Sequence, residues 1–124
     1  MHVYKTETCG CCSLWVEHME AAGFEVTVEN LSNADLMALK ERHGIPLELT
    51  SCHTALAGGY VFEGHIPAQS VKSFLEDSPE VAGLAVPGMP LGSPGMEHPR
   101  PQPYDVIAFD GKGNRTVFAH IDPR

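Results

Sequence analysis

The cysteines of this chain lie at two points of the sequence. Three of the four are in Cys9-Gly10-Cys11-Cys12, and the fourth precedes a histidine in Cys52-His53. Cys9 and Cys12 have the C-x-x-C spacing of a redox dithiol, in which one thiolate attacks and the other resolves the mixed disulfide. Additional thiolates select soft metals such as Cu(I) and Zn(II) over hard cations. The pattern therefore predicts redox chemistry, a soft-metal site, or both.

A second group of candidate ligands lies in a glycine- and proline-rich segment, Gly83–Pro103. Met89, Met96 and His98 occur there, although a solvated linker has little reason to carry them. Thioether sulfur favours Cu(I) over Zn(II), so this segment would complete or cover a copper site if it folded over the cysteines. Alternatively, the methionines fill gaps under a loop. His53 and His98 are candidate nitrogen ligands.

The remaining histidines show no ligand-pair spacing. Lone histidines are mostly surface residues or hydrogen-bonded ones. Five are interpreted in this way: His2, His18, His43, His65 and His120.

Bulk composition excludes several classes of protein. The chain has 124 residues, which fits one domain with a hydrophobic core. Its formal net charge of −8 argues against nucleic acid or an anionic membrane surface as a partner. No apolar run approaches the ~18 residues needed to span a bilayer. No signal peptide is apparent before Val3, so we expect a cytosolic chain or the mature form of an exported one.

Residue patterns predict a mixed α/β domain. Phe24, Val26 and Val28 alternate with polar residues, as in a half-buried strand, and Gly58-Gly59 separates two strand-like runs as a hairpin turn. Ser32 with Asp35 resembles a helix capping box. The predicted strands are 3–6, 24–28, 54–57 and 60–62, and the predicted helices are about 11–22, 32–43 and a third after Pro67.

The order β-α-β-α-β-β-α, with C-x-x-C after the first strand, resembles the thioredoxin fold over residues 2–78. In that family the dithiol lies at the start of the first helix, where backbone N–H groups and the helix dipole stabilise a thiolate. Thioredoxin has proline where this chain has Cys11. If residues 54–57 match the family's third strand, Cys52 and His53 face the dithiol in the loop that usually carries a cis-proline. An alternative alignment puts Pro46 at that proline and moves Cys52 along a strand.

The C-terminal third differs in composition. Residues 83–103 hold four glycines and six of the ten prolines, and such a segment is not expected to form a regular helix or a central strand. Tyr104–Phe109 and Arg115–Ile121 are predicted strands joined by the turn at 110–114. We therefore expect a thioredoxin-like domain over 1–80 and an extension over 81–124. The extension should end in a β-hairpin and pack on the cysteine site, so that the chain is one compact unit.

The whole chain also resembles the CopG family of bacterial copper-resistance proteins. The segments that carry this resemblance are Cys9–Cys12, Trp15–His18, Ser51–Thr54, 59–68 and 83–96. The resemblance implies a thioredoxin domain with a C-terminal extension that holds a cysteine-bridged multinuclear copper cluster. It also implies interconversion of Cu(I) and Cu(II) in the periplasm. The matching positions are Cys9, Cys11, Cys12 and Cys52, with Met89 and Met96 from the extension.

The expected function is therefore that of a copper-binding redox protein, with Cys9 and Cys12 as the catalytic pair. The expected partners are copper ions, and copper-efflux or copper-delivery proteins are further candidates. Nucleic acid and membrane insertion are not expected, and the chain is expected to be a monomer. The alternatives are a copper store or chaperone, a metal-free thiol–disulfide oxidoreductase using Cys9 and Cys12, and a structural zinc site. The expected metal ligands are Cys9, Cys11, Cys12, Cys52, Met89, Met96, His53 and His98.

Overall fold

A computed structural model describes residues 1–77 and 79–124 of the chain. Its helices are α1 (Gly10–Ala21), α2 (Asn33–Arg42) and α3 (Ala68–Asp77), with a short 3-10 turn at Leu47–Leu49. Its strands are β1 (His2–Lys5), β2 (Thr27–Asn30), β3 (Thr54–Ala57), β4 (Tyr60–Glu63), β5 (Gly83–Ala85), β6 (Tyr104–Phe109) and β7 (Arg115–Ile121). Within the described ranges, no helix is both long enough and apolar enough to cross a membrane.

The seven strands of the described residues join one mixed sheet in the order β2-β1-β3-β4-β5-β6-β7. β1 and β2 are parallel and connected through α1, while β3 runs antiparallel to both β1 and β4. This is the arrangement of a thioredoxin-like core, so the fold class predicted from the sequence is confirmed.

The core lies mainly on one face of the sheet. There Trp15 and Met19 of α1 and Phe74 of α3 pack in one buried cluster with inward-facing residues such as Phe62 of β4. The neighbouring Val61 points to the other face and joins a smaller cluster. This alternation along β4 is the period expected of a strand buried on both faces.

The second strand differs from its prediction. We expected a half-buried strand at residues 24–28, whereas β2 runs from Thr27 to Asn30 and all of its residues are exposed. Phe24 and Val26 pack against the core just before the strand begins. The apolar alternation therefore marks the approach to an edge strand, whose own position is set by pairing with β1.

The expectation of no central strand between residues 83 and 103 is wrong for Gly83–Ala85. These residues form β5, which pairs in parallel with β4 and antiparallel with β6. The first proline of the segment is Pro87, so the β5 backbone N–H groups remain free to pair. A Cβ on Gly83 would lie 1.8 Å from the Val61 carbonyl oxygen, so glycine is needed for this close approach.

The last two strands form the predicted β-hairpin, with the predicted bounds. The Asp110 carboxylate closes its turn by accepting the backbone N–H groups of Lys112 and Asn114, at 2.8 and 3.0 Å. Because β5 joins β4 to this hairpin, residues 81–124 continue the sheet of the first part. We propose that they are an extension of that domain and not an independent folding unit.

Candidate metal centre

Three sulfurs lie at the start of α1. Cys9 is the N-cap residue, and Cys11 and Cys12 are in the first helical turn. Cys9 and Cys12 form a disulfide, while Cys11 and Cys52 are free thiols. The sulfurs of Cys9 and Cys11 are 3.5 Å apart. All four cysteine sulfurs lie within 4.8 Å of one another, which is close enough for a shared metal assembly.

Cys52 reaches this group from the loop before β3. The alignment of residues 54–57 with the third strand is therefore correct. The alternative based on Pro46 is wrong, because Pro46 precedes the turn at Leu47–Leu49 and Cys52 is not within a strand. Burial, followed by the neighbouring Cys11, raises the pKa of the Cys52 thiol to about 12. The metal-free thiol is thus protonated at neutral pH, and metal binding would release its proton.

Two histidines join Cys52 in a second group of close ligand atoms. His53 Nδ1 lies 3.4 Å and His65 Nε2 lies 3.0 Å from the Cys52 sulfur. His65 was interpreted from the sequence as an ordinary histidine, and that interpretation missed this position. The signal was the hairpin register: Thr54 pairs with Glu63, and the same register extended by two residues brings Cys52 opposite His65.

The hydrogen bonds of His65 orient it as metal-binding histidines are usually oriented. Its Nδ1 lies 2.6 Å from the Pro94 carbonyl oxygen, which can only accept. Nδ1 therefore carries the proton, and in the neutral ring the Nε2 lone pair is directed towards Cys52. Burial lowers the pKa of His65, which favours that neutral ring, although the Pro94 carbonyl and Glu97 oppose the shift.

His53 is fully buried beside the same sulfur. Its ring lies 4.4 Å from the Trp15 ring, measured between centroids. Burial, with smaller contributions from His65 and Lys40, lowers its pKa well below the usual value, so the ring is neutral. Its Nε2 atom is buried and has no hydrogen-bond partner among the described residues. A neutral imidazole of this kind retains a lone pair for a ligand.

The extension covers one side of the sulfur group. The Met89 sulfur lies 3.6 Å from the Cys11 sulfur, and the Ser51 hydroxyl donates to the Gly88 carbonyl oxygen. An open pocket of about 240 Å³ lies between the Cys52 loop and Met89. Its lining residues are Thr50, Ser51, Cys52, Gly88 and Met89.

Gly95 sets how closely the extension approaches. Its φ is +93°, and an added Cβ would lie 2.7 Å from the Cys11 carbonyl oxygen and 2.9 Å from His65 Nδ1. A side chain at this position would push the extension away from both residues. Glycine therefore keeps the Pro94 carbonyl within reach of His65.

The other predicted ligands of the extension are placed differently. Met96 is half-buried, and its backbone closes a turn by donating to Ser93 and accepting from Gly92, each at 2.8 Å. His98 is exposed, and its Nδ1 accepts the Arg100 N–H at 3.0 Å. Within the described part of the chain, His98 belongs to neither group of close ligand atoms.

The donor set fits a soft metal. It combines cysteine sulfurs, one thioether close to Cys11 and two neutral imidazoles, and none of the atoms in these groups is a hard carboxylate oxygen. Such a set suits Cu(I) through its sulfurs and accommodates Cu(II) through its nitrogens. In the disulfide form, Cys9 and Cys12 lack thiolate charge, so the disulfide must be reduced before all four cysteines can ligate.

Comparison with known proteins bears on the same residues. A family model described as "Protein of unknown function, DUF411" matches residues 49–96, which include Cys52, His65 and Met89. No curated protein sequence matches the chain. Two solved structures match almost all of it, named "Copper resistance protein copG", Form 1 and Form 2.

Form 1 is 40% identical, with a TM-score of 0.90, and the match covers 97% of this chain and 94% of that one. Form 2 is 41% identical, with a TM-score of 0.89, and the match covers 98% and 96%. Identity at this level over nearly the full length of both chains establishes common membership. The chain therefore belongs to the CopG family of copper-resistance proteins.

Proposed function

We propose that this chain binds a multinuclear copper cluster and interconverts Cu(I) and Cu(II) as part of copper resistance. The observation that carries the proposal is the mutual approach of the cysteine sulfurs to within 4.8 Å. A single Cu(I) is satisfied by only a few soft ligands, so a group of this size is suited to bridging several ions. Membership of a family named for copper resistance supports copper over other soft metals.

In this proposal the sulfurs have distinct tasks. Cys11 and Cys52 are free thiols that supply ligands once deprotonated, while Cys9 and Cys12 supply thiolates after an external reductant gives the disulfide two electrons. Bound copper supplies one-electron chemistry. The imidazoles of His53 and His65 add nitrogen donors that favour Cu(II), and Met89 adds a thioether that favours Cu(I).

A second function is favoured by the disulfide itself. Cys9 and Cys12 form a C-x-x-C disulfide at the start of α1, which is the arrangement of a thiol–disulfide oxidoreductase. In that function Cys11 and Cys52 have no required part. The two functions therefore differ in their dependence on Cys11.

Family membership also supports further proposals about context. We place the mature protein in the periplasm, with copper ions as its substrate and copper-efflux or copper-delivery proteins as its partners. We propose that it acts as a monomer.

Metal content and colour test the proposed function. After anaerobic reduction and copper loading, we expect more than one copper ion per chain. Exposure to air should produce visible absorption that is lost on reduction, because thiolate-bound Cu(II) absorbs visible light while Cu(I) and Zn(II) sites do not. With equal free Cu(I) and Zn(II), the site should take copper.

Three other outcomes would identify the alternatives. One tightly held zinc per chain that copper cannot displace would contradict the redox proposal. Copper that stays colourless through cycles of air and reductant would indicate a store or chaperone. Disulfide reductase activity without metal retention would indicate the thiol–disulfide enzyme.

Replacement of Met89 by leucine tests the contribution of the extension. M89L keeps apolar volume but removes the sulfur next to Cys11, so Cu(I) affinity should fall about ten-fold, the low end for groups that support a metal ligand. M96L makes the same chemical change at the other candidate thioether, so the two variants together show whether one methionine or both bind copper. The measurement is competition with a Cu(I) chelator. Equal affinity in M89L and the wild type would assign Met89 to packing alone.

A further inference from the structure

A buried ion pair lies beneath the loop that carries Cys52. Glu63 of β4 is fully buried, and its carboxylate accepts from the Nζ of Lys40, a residue of α2 that is 2% exposed. Lys40 also donates to the Thr54 hydroxyl at 3.0 Å, and that hydroxyl donates to the other carboxylate oxygen of Glu63. The same carboxylate accepts the Ser51 backbone N–H at 2.8 Å.

These contacts bracket the ligand-bearing residues of the loop. Ser51 immediately precedes Cys52 and Thr54 immediately follows His53, so one carboxylate holds both ends of the Cys52-His53 pair. Glu63 is also two positions before His65, and the intervening Gly64 N–H donates to the His53 carbonyl oxygen at 3.1 Å. These contacts therefore hold the backbone that carries Cys52, His53 and His65, which supply the second group of ligand atoms.

Stability alone does not explain such a pair. Removing two charges from water is costly, and well-packed apolar residues of similar volume often replace buried ion pairs without loss of stability. The hydrogen bonds of Glu63 and Lys40 reach the sulfur group through the backbone and hydroxyl of the loop. Their contacts give them a geometric task.

We propose that Glu63, held by Lys40, is a positioning residue for the metal centre. Its carboxylate anchors Ser51 and Thr54 so that the Cys52 sulfur meets both the cysteines of α1 and the two imidazoles. This inference rests on the proposed copper-binding function and assigns a role to residues outside the ligand set.

Two double variants separate anchoring from charge. K40M/E63Q and K40M/E63L both remove the buried charges and keep similar volume, but only glutamine retains an oxygen that can accept the Ser51 N–H. K40M/E63L should lose about ten-fold or more in Cu(I) affinity, as expected when a supporting contact of a metal ligand is removed. K40M/E63Q should stay within about three-fold of the wild type, because the anchor remains.

A second measurement, the fluorescence of Trp15, tests the position of the loop without metal. Trp15 is the sole tryptophan of the chain, and it lies against His53. Its fluorescence should change in K40M/E63L and stay close to the wild type in K40M/E63Q. V71A is the stability control, because it opens the core at α3 away from the loop. It should lower the unfolding temperature without changing copper affinity.

Equal copper affinity in the two double variants, whether retained or lost, would overturn the proposal. A loss of copper affinity in V71A as large as the loss in K40M/E63L would also overturn the proposal. If K40M/E63L fails to fold, T54V repeats the test with an isosteric change that removes the Thr54 anchor, and unchanged affinity there overturns it as well. Wild-type protein that binds no copper would instead contradict the proposed function, while Trp15 fluorescence would still test the positioning.

Discussion

Changing Cys11 to serine should remove copper from the site as effectively as changing Cys9 or Cys12. The Cys11 sulfur lies 3.5 Å from the Cys9 sulfur and 3.6 Å from the Met89 sulfur. A hydroxyl is a poor ligand for a soft ion, so copper stoichiometry should fall. The remaining affinity should fall by more than about 100-fold, beyond the range seen when supporting groups are removed.

The C11S result separates the two candidate functions. Copper per chain and chelator competition give the measurement, and S13A serves as the control because Ser13 is an exposed residue two positions further along the same helix. Full copper content in C11S, combined with loss of disulfide reductase activity in C9S or C12S, would favour the thiol–disulfide enzyme over the copper protein.

Oxidised protein should bind much less Cu(I) than reduced protein. With the Cys9–Cys12 disulfide intact, two of the four grouped cysteines have no thiolate to offer. We therefore expect the number of copper ions bound to fall by about half or more, in line with the lost soft ligands. The experiment is an oxygen-free Cu(I) titration against a competing chelator, with a thiol count before and after.

The double variant C9S/C12S provides the comparison for this experiment. It cannot form the Cys9–Cys12 disulfide, so its lower copper content should be the same before and after oxidation when the thiol count shows that Cys11 and Cys52 have stayed reduced. If oxidised and reduced wild-type protein bind equal amounts of copper, Cys9 and Cys12 are not metal ligands and their role is in thiol exchange.

The core of the fold could be predicted because its signals are local. Gly58 and Gly59 both adopt positive φ, and the strands on either side have nearly the predicted bounds. Ser32 likewise caps α2 by accepting the Asp35 N–H. The strand β5 has only three residues, and the close approach of Gly83 to its neighbours stabilises it. Such a strand depends on tertiary pairing and leaves little trace in its own sequence.

The difference between local signals and tertiary pairing also explains which parts of the site could be predicted. The C-x-x-C spacing and the loop before β3 are readable from residue types and element order, so Cys52 was expected beside the other cysteines. His65 has no ligand-pair spacing in the sequence, but extending the register of the predicted Gly58-Gly59 hairpin brings it opposite Cys52. The pair Lys40–Glu63 joins residues from separate elements that are far apart in sequence, and no spacing pattern predicts it.

The long connection between Ala85 and Tyr104 has a consequence for how this protein can diversify. It leaves the sheet on β5 and returns on β6, and these two strands pair directly with each other. Its ends are therefore held together whatever lies between them, and doubling the length of a flexible loop costs only about 0.6 kcal/mol. The cysteines belong to the start of α1 and the loop before β3, while Met89 and the Pro94 carbonyl belong to the connection between β5 and β6. Grafting a different loop between the same two strands would alter metal preference or redox potential without redesigning the domain.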